Sequence, residues 1–187
     1  MRNCASVVWS FGPSRNDSAT RDDGGRDKLG HDENRVTPAF TLRPYQSADE
    51  DAAMALWQRT WQQAYPSIDF AARVPWWRER WTNELVAKAS IIVAEQTGEL
   101  IGFVTIDATG YLDQLVVAPE HWGSDVARLL VDEAKRLSPE RITLLVNKDN
   151  ARAIRFYERN GFVPAGDDVN PTSGRPVLKM AWDGTSS

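Results

Sequence analysis

Two side chains in this chain could move a proton during a reaction: Tyr157 and Asp113. Tyr157 is a phenol, with an ordinary pKa of about 10, and a positioned O–H of this kind can protonate a leaving group. Asp113 follows Tyr111 by two residues in a strand-like run, so the period of a strand puts both on one face. A carboxylate at its ordinary pKa of about 4 is a poor base, so Asp113 needs a pKa raised by burial to take a proton. Asp107 and Glu95 are weaker candidates. Metal and thiol chemistry find no support. His31 and His121 have no cysteine or second histidine at ligand spacing. Cys4 is the single cysteine, cannot form an internal disulfide, and falls in the stretch expected to be disordered.

The elements that must position these groups are legible from periodicity. Ile142–Val146 reads as a buried strand. Asn150 then caps a helix whose apolar face is Ala153, Ile154, Phe156 and Tyr157. Gly161 supplies the left-handed stop, and Phe162 opens the next strand. Upstream, Phe40–Tyr45 alternates as a strand, and Asp49–Ala64 is a helix with Ser47 as its cap. Pro75–Lys88 is a second helix with proline at its first position. Ser90–Glu95 and Leu100–Ile106 flank Thr97-Gly98-Glu99 as a hairpin. Tyr111–Val117 is a third strand of that group, a helix covers Gly123–Leu137, and Phe162–Gly166 and Pro176–Trp182 are the last strands.

The 187 residues suit one domain plus a tail, and a hydrophobic fraction of 42% supports a real core. Residues 1–37 contain a stretch rich in Asp, Arg, Gly, Asn and Ser that cannot bury enough apolar surface to offset its ordering entropy, so a disordered tail is expected there and a folded domain over 38–187. A net charge of -4 argues against nucleic acid as a partner. No apolar run reaches membrane-span length and the N-terminus lacks the pattern of a secretion signal, so a cytoplasmic protein that does not engage membranes is expected.

The run Asn150-Ala-Arg-Ala-Ile-Arg-Phe-Tyr-Glu-Arg-Asn-Gly-Phe162 fills every fixed position of N-x-x-A-x-x-[FL]-Y-x-x-x-G-F, and here the chain resembles the GNAT N-acetyltransferase superfamily. The element order β-α-α-β-β-β-α-β-α-β-β over residues 40 to 183 matches that fold. The resemblance implies an α/β (α+β) domain with a central mixed, mostly antiparallel twisted sheet flanked by about four helices. It also implies acetyl-CoA as co-substrate, no metal, and direct attack by an amine in a ternary complex.

A second motif of the family, [QR]-x-x-G-x-[GA] after a V-x-P turn, falls on Val117-Ala118-Pro119 and the residues that follow. Trp122 stands at the [QR] position, Asp125 at the glycine, and Ala127 fits, with Gly123 as an additional glycine. A helix N-terminus is an anion site, and small residues let its backbone approach a pyrophosphate. Asp125 either faces the phosphates and repels them or turns to solvent and pairs with Arg128 three residues on, and the second arrangement is the expected one.

By motif position the resemblance makes Tyr157 the proton donor to the leaving thiolate; it names no base, and Asp113 is the candidate from its place on the strand. The implied acyl-donor site comprises Leu115, Val116 and Val117 on the strand, with Leu115 and Val117 acting through main chain. It continues with Gly123, Ser124, Asp125, Val126, Ala127 and Arg128 at the loop and helix start, and Asn150, Ala153, Phe156 and Tyr157 on the later helix. Lys148, Arg152 and Arg155 could reach the adenosine phosphate. In the family the first two helices help build the acceptor pocket, which singles out Trp57, Trp61, Tyr65 and Trp77, although their i,i+4 spacing also suits core packing. Trp76 and Trp77 cannot both face inward. The expected partner is a small-molecule or peptide amine, with a homodimer possible. Trp122 and Asp125 leave open a non-catalytic acyl-CoA sensor or interaction module on the same fold, and use of a longer acyl-CoA is a third reading.

Overall fold

In the computed structural model the described residues are 40–170 and 173–184, so the expected tail, residues 1–37, with Cys4 and His31, lies outside them. Strands β1 (Thr41–Pro44), β2 (Ala89–Gln96), β3 (Glu99–Asp107) and β4 (Leu112–Val117) form one antiparallel sheet in that order. Strands β5 (Arg141–Asn147), β6 (Val163–Val169) and β7 (Pro176–Asp183) form a second, ordered β5-β7-β6. The two sheets meet at an isolated parallel bridge between Tyr111 and Thr143, just before β4 and early in β5. Beyond that bridge, β4 and β5 do not pair.

Local chemistry builds this shape. Thr97 and Gly98 both take positive φ, 49° and 84°, which tightens the β2–β3 hairpin. Before β4, the Asp107 carboxylate accepts the N–H groups of Thr109 at 2.8 Å and Tyr111 at 3.0 Å, an Asx-type turn. Gly110 closes the apex between the sheets: its C=O accepts the Thr143 N–H at 2.9 Å, and a Cβ there would stand 2.2 Å from the Arg141 carbonyl oxygen. Only glycine permits that approach.

Helix α1 (Glu50–Ala64) is preceded by a 3-10 turn over Ser47–Asp49, so Ser47 is not its cap. The start is fixed instead by Asp49, whose carboxylate accepts the Gln46 N–H at 2.8 Å and takes two bonds from Arg43, at 2.7 and 2.9 Å. The expected second helix is interrupted: α2 (Val74–Arg80) passes into a π-helical turn over Trp81–Leu85 and ends in the single turn α3 (Val86–Lys88). Helix α4 (Val126–Leu137) starts three residues later than its glycine suggested, and α5 (Ala151–Arg159) is capped by Asn150, whose side chain accepts the Ala153 N–H at 3.0 Å. Under α1 and α2 lies an aromatic layer. Trp57 stacks on Trp77 at 4.7 Å between centroids, and Trp81 meets Phe103 of β3 edge-on at 5.1 Å. Of the adjacent tryptophans, Trp77 is 1% exposed and Trp76 42%, as their opposed directions require.

Candidate acyl-transfer site

The gap between β4 and β5 exposes an unused main-chain edge. The Ala118 N–H donates to the Ile101 carbonyl across the ladder with β3. The Gln114 N–H is taken by the Thr105 hydroxyl, also on β3. Main-chain groups alternate sides along a strand, so those of Leu115 and Val117 face away from β3, into the gap. Val116, between them, directs its main chain to the ladder opposite Phe103, so it offers the gap no amide. The Val117 carbonyl on the gap side is held by the Trp122 indole N–H at 2.8 Å and by the Thr60 hydroxyl of α1 at 3.4 Å. Trp122, which replaces the expected Gln or Arg, therefore ties the loop before α4 back onto the open end of β4.

That loop bends through Gly123, whose φ of 88° is a left-handed conformation. Ser124 donates its hydroxyl to the His121 carbonyl at 2.7 Å. Asp125 is the residue before α4, 70% exposed at its side chain, and is paired with Arg128 at 3.1 Å. Arg128 also reaches Asp132 at 3.2 Å. The carboxylate is thus drawn along the helix surface and partly neutralised. Val126 and Ala127 bury their side chains in the core, leaving only main chain for a ligand.

On α5, Ala153 and Phe156 are buried, and Tyr157 is fully so. The Tyr157 ring meets Phe156 and Phe162 edge-on, at 5.3 and 5.4 Å. Its hydroxyl has no hydrogen-bond partner among the described residues, and burial pushes its pKa well above that of an ordinary phenol. A buried, neutral O–H without a partner and a strand edge with unpaired amides fit a ligand carrying both a thioester and peptide-like amides.

Asp113 is the additional residue of a β-bulge: Ile106 pairs with Leu112 and Thr105 with Gln114. The strict two-residue period through Tyr111 and Asp113 therefore breaks. The Asp113 carboxylate forms a buried ion pair with Arg80 of α2 and accepts from the Gln114 amide at 2.8 Å. Burial raises its pKa, the Arg80 charge works against that, and the net direction is upward. Arg80 also lies over the Trp77 ring at 5.3 Å. It sits three residues after Trp77, inside the apolar stripe, and that placement is the sequence signal for a buried partner.

Of the acceptor-side candidates, Trp57 and Trp77 are core residues, 4% and 1% exposed. Trp61 and Tyr65 lie further out, stacked on each other at 6.0 Å. The Tyr65 hydroxyl accepts from the Asn147 side chain of β5 at 3.0 Å, and the Arg175 guanidinium lies over the Tyr65 ring at 5.2 Å. Lys148 pairs with Asp167 at 2.8 Å. Asn147 carried no pattern signal, because its role depends on where β5 diverges from β4. Among the described residues no group of His, Cys, Asp and Glu could hold a metal, and no helix is long and apolar enough to cross a membrane.

Comparison with known proteins bears on the family and the fold. The model of the acetyltransferase (GNAT) family matches residues 50–162. The peptidyl-lysine N-acetyltransferase YjaB of Escherichia coli K12 is 25% identical over 148 residues, covering 78% of this chain and 98% of that protein. The spermidine N(1)-acetyltransferase of Vibrio cholerae is 32% identical over 90 residues, 43% of this chain and 52% of that protein. The PaiA N-acetyltransferase of Thermoplasma acidophilum, solved with coenzyme A, superposes with a TM-score of 0.65 at 20% identity, covering 77% of this chain and 98% of that one. The chain belongs to the GNAT family and is an acyl-CoA-dependent N-acetyltransferase that uses acetyl-CoA and has the family's mixed α/β fold.

Proposed function

We propose that this protein transfers the acetyl group of acetyl-CoA to a primary amine of a small molecule or peptide, by direct attack in a ternary complex. The observation that carries this reading is the conjunction of the unpaired β4 edge with the buried, unpartnered hydroxyl of Tyr157. Bound acetyl-CoA supplies an activated thioester. The gap-facing amides of Leu115 and Val117 bind its amide-bearing arm and stabilise charge on the acetyl oxygen. The start of α4, with Gly123, Ser124 and the main chain of Val126 and Ala127, receives the pyrophosphate. As the C–N bond forms and the C–S bond breaks, the electron pair of the broken bond goes to sulfur, and the Tyr157 O–H supplies its proton. Asp113 takes the proton that the ammonium must lose before it attacks. The second nitrogen proton, released as the amide forms, restores the Tyr157 phenol. Burial shifts the Asp113 pKa in the direction its role needs.

The names of the relatives, a peptidyl-lysine and a spermidine acetyltransferase, support an amine on an extended arm as acceptor. A cytoplasmic location belongs to the same reading. The motive for a non-catalytic sensor weakens, since Trp122 has a task on Val117 and Asp125 is tied to Arg128. The test is thiol release from acetyl-CoA across a panel of lysine peptides, polyamines and small primary amines. Turnover with at least one amine is expected. Acetyl-CoA binding with persistent silence across the panel would overturn catalysis in favour of a sensor.

A further inference from the structure

Asn147 is the last residue of β5 and is 4% exposed, yet its side-chain amide is only partly matched. Its Nδ2 donates to the Tyr65 hydroxyl at 3.0 Å, which turns Oδ1 away from that ring. Oδ1 has no partner among the described residues. Buried amide oxygens are nearly always matched with a donor, so one left open in a cleft points to a donor that arrives with a ligand.

The placement says which ligand. Thr143 marks the closed apex of the gap, and Asn147 lies further along the same strand, on the same face by the two-residue period, where β4 and β5 have diverged. The partner of Asn147, Tyr65, is the residue at which α1 ends, so the side chain faces that end of the helix. Trp61 stacks on the Tyr65 ring, at 6.0 Å between centroids. Aromatic rings attract an alkyl arm, and the Arg175 guanidinium already lies over the Tyr65 ring at 5.2 Å. We propose that Asn147 Oδ1 is the hydrogen-bond acceptor for the acceptor substrate's primary amine, carried on an unbranched alkyl arm lying along Trp61 and Tyr65. This rests on the acetyl-transfer reading and adds to it the residue that selects the amine. Tyr65 is then a positioning residue, because it orients the Asn147 amide.

The test is calorimetric binding of two probe amines, N-α-acetyl-lysine methylamide and spermidine, to the full chain saturated with coenzyme A. Acetyl-CoA affinity is measured separately. The wild type is expected to bind at least one amine. Asn147→Leu should weaken that binding about tenfold or more while acetyl-CoA affinity stays within about twofold. Asn147→Asp retains an oxygen acceptor and should bind the amine within about threefold of wild type. Asn147→Ala replaces the leucine variant if that one does not fold. Unchanged amine affinity in the leucine or alanine variant would overturn the proposal, as would loss of acetyl-CoA affinity in place of amine affinity, or a wild type that takes up neither amine. A wild type that does not bind coenzyme A would instead overturn the acetyl-transfer reading itself.

Discussion

The guanidinium of Arg80 and the carboxylate of Asp113 form an ion pair beneath the tryptophan layer, with 4% and 12% of the two side chains exposed. The pair joins the helical layer to the bulge of β4, the strand whose open edge defines the site. Its desolvation makes the pair expensive to break from one side.

Asp113→Ala leaves the Arg80 charge buried without its counter-ion. We expect a loss of about 3–5 kcal/mol by urea unfolding, against a much smaller loss for the double change Arg80→Met, Asp113→Leu. Asp113→Asn preserves the shape and separates structure from chemistry. If Asp113 takes the acceptor's proton, that variant loses the acidic limb of the kcat/KM profile. An unshifted profile would leave Asp113 a purely structural residue.

Tyr157→Phe removes an O–H that has no partner among the described residues. The account predicts a fall in kcat of about a hundredfold or more with acetyl-CoA affinity little changed. Thermal stability should be unchanged or slightly raised, because no protein hydrogen bond is lost and a buried polar group is removed. Equal turnover would take Tyr157 out of the mechanism.

At Asp125 the ion pair with Arg128 and the exposure of the carboxylate decide between the two arrangements the motif allows. Asp125→Gly is expected to change acetyl-CoA affinity by less than about threefold, since screened surface charges contribute little. A large tightening would show that the carboxylate faces the pyrophosphate.

Trp122→Phe keeps an aromatic ring, though a smaller one, and deletes the N–H that holds the Val117 carbonyl. Affinity for acetyl-CoA should weaken about fivefold or more as β4 loses that anchor, consistent with roughly 1 kcal/mol for a neutral hydrogen bond. Equal affinity would show that the Thr60 hydroxyl alone suffices.

The start of α1 carries a pH signature. Asp49 is 8% exposed, and its pKa is lowered chiefly by hydrogen bonds from Arg43, with burial opposing. Its folded pKa lies below the unfolded value of about 4, so its contribution is fully present above that pH and lost as pH falls through the folded pKa. Asp49→Asn should flatten the stability curve in that acidic window and leave its alkaline side unchanged. An unaltered acid limb would contradict this.

Much of the fold was legible because its signals are local. The Asn150 cap, the apolar face through Tyr157 and the Gly161 stop each depend on neighbours within a few residues, and α5 formed as read. Asp49 displaced Ser47 as the feature fixing the start of α1 because Arg43, across the turn, favours a carboxylate. The bulge at Asp113 and the π turn after Arg80 arise from fitting strand to helix, and no periodic pattern encodes them. Asn147 and Thr60 gain their partners only once β4 and β5 part, a separation set by the close approach at Gly110.

The amide resonances of Leu115 and Val117 in a proton–nitrogen correlation spectrum, followed through an acetyl-CoA titration, test the central claim most directly. The account predicts saturable shifts of both, larger than those of the ladder amides of Val116 and Ala118. No shift of either at millimolar acetyl-CoA would contradict a donor site on the open edge of β4.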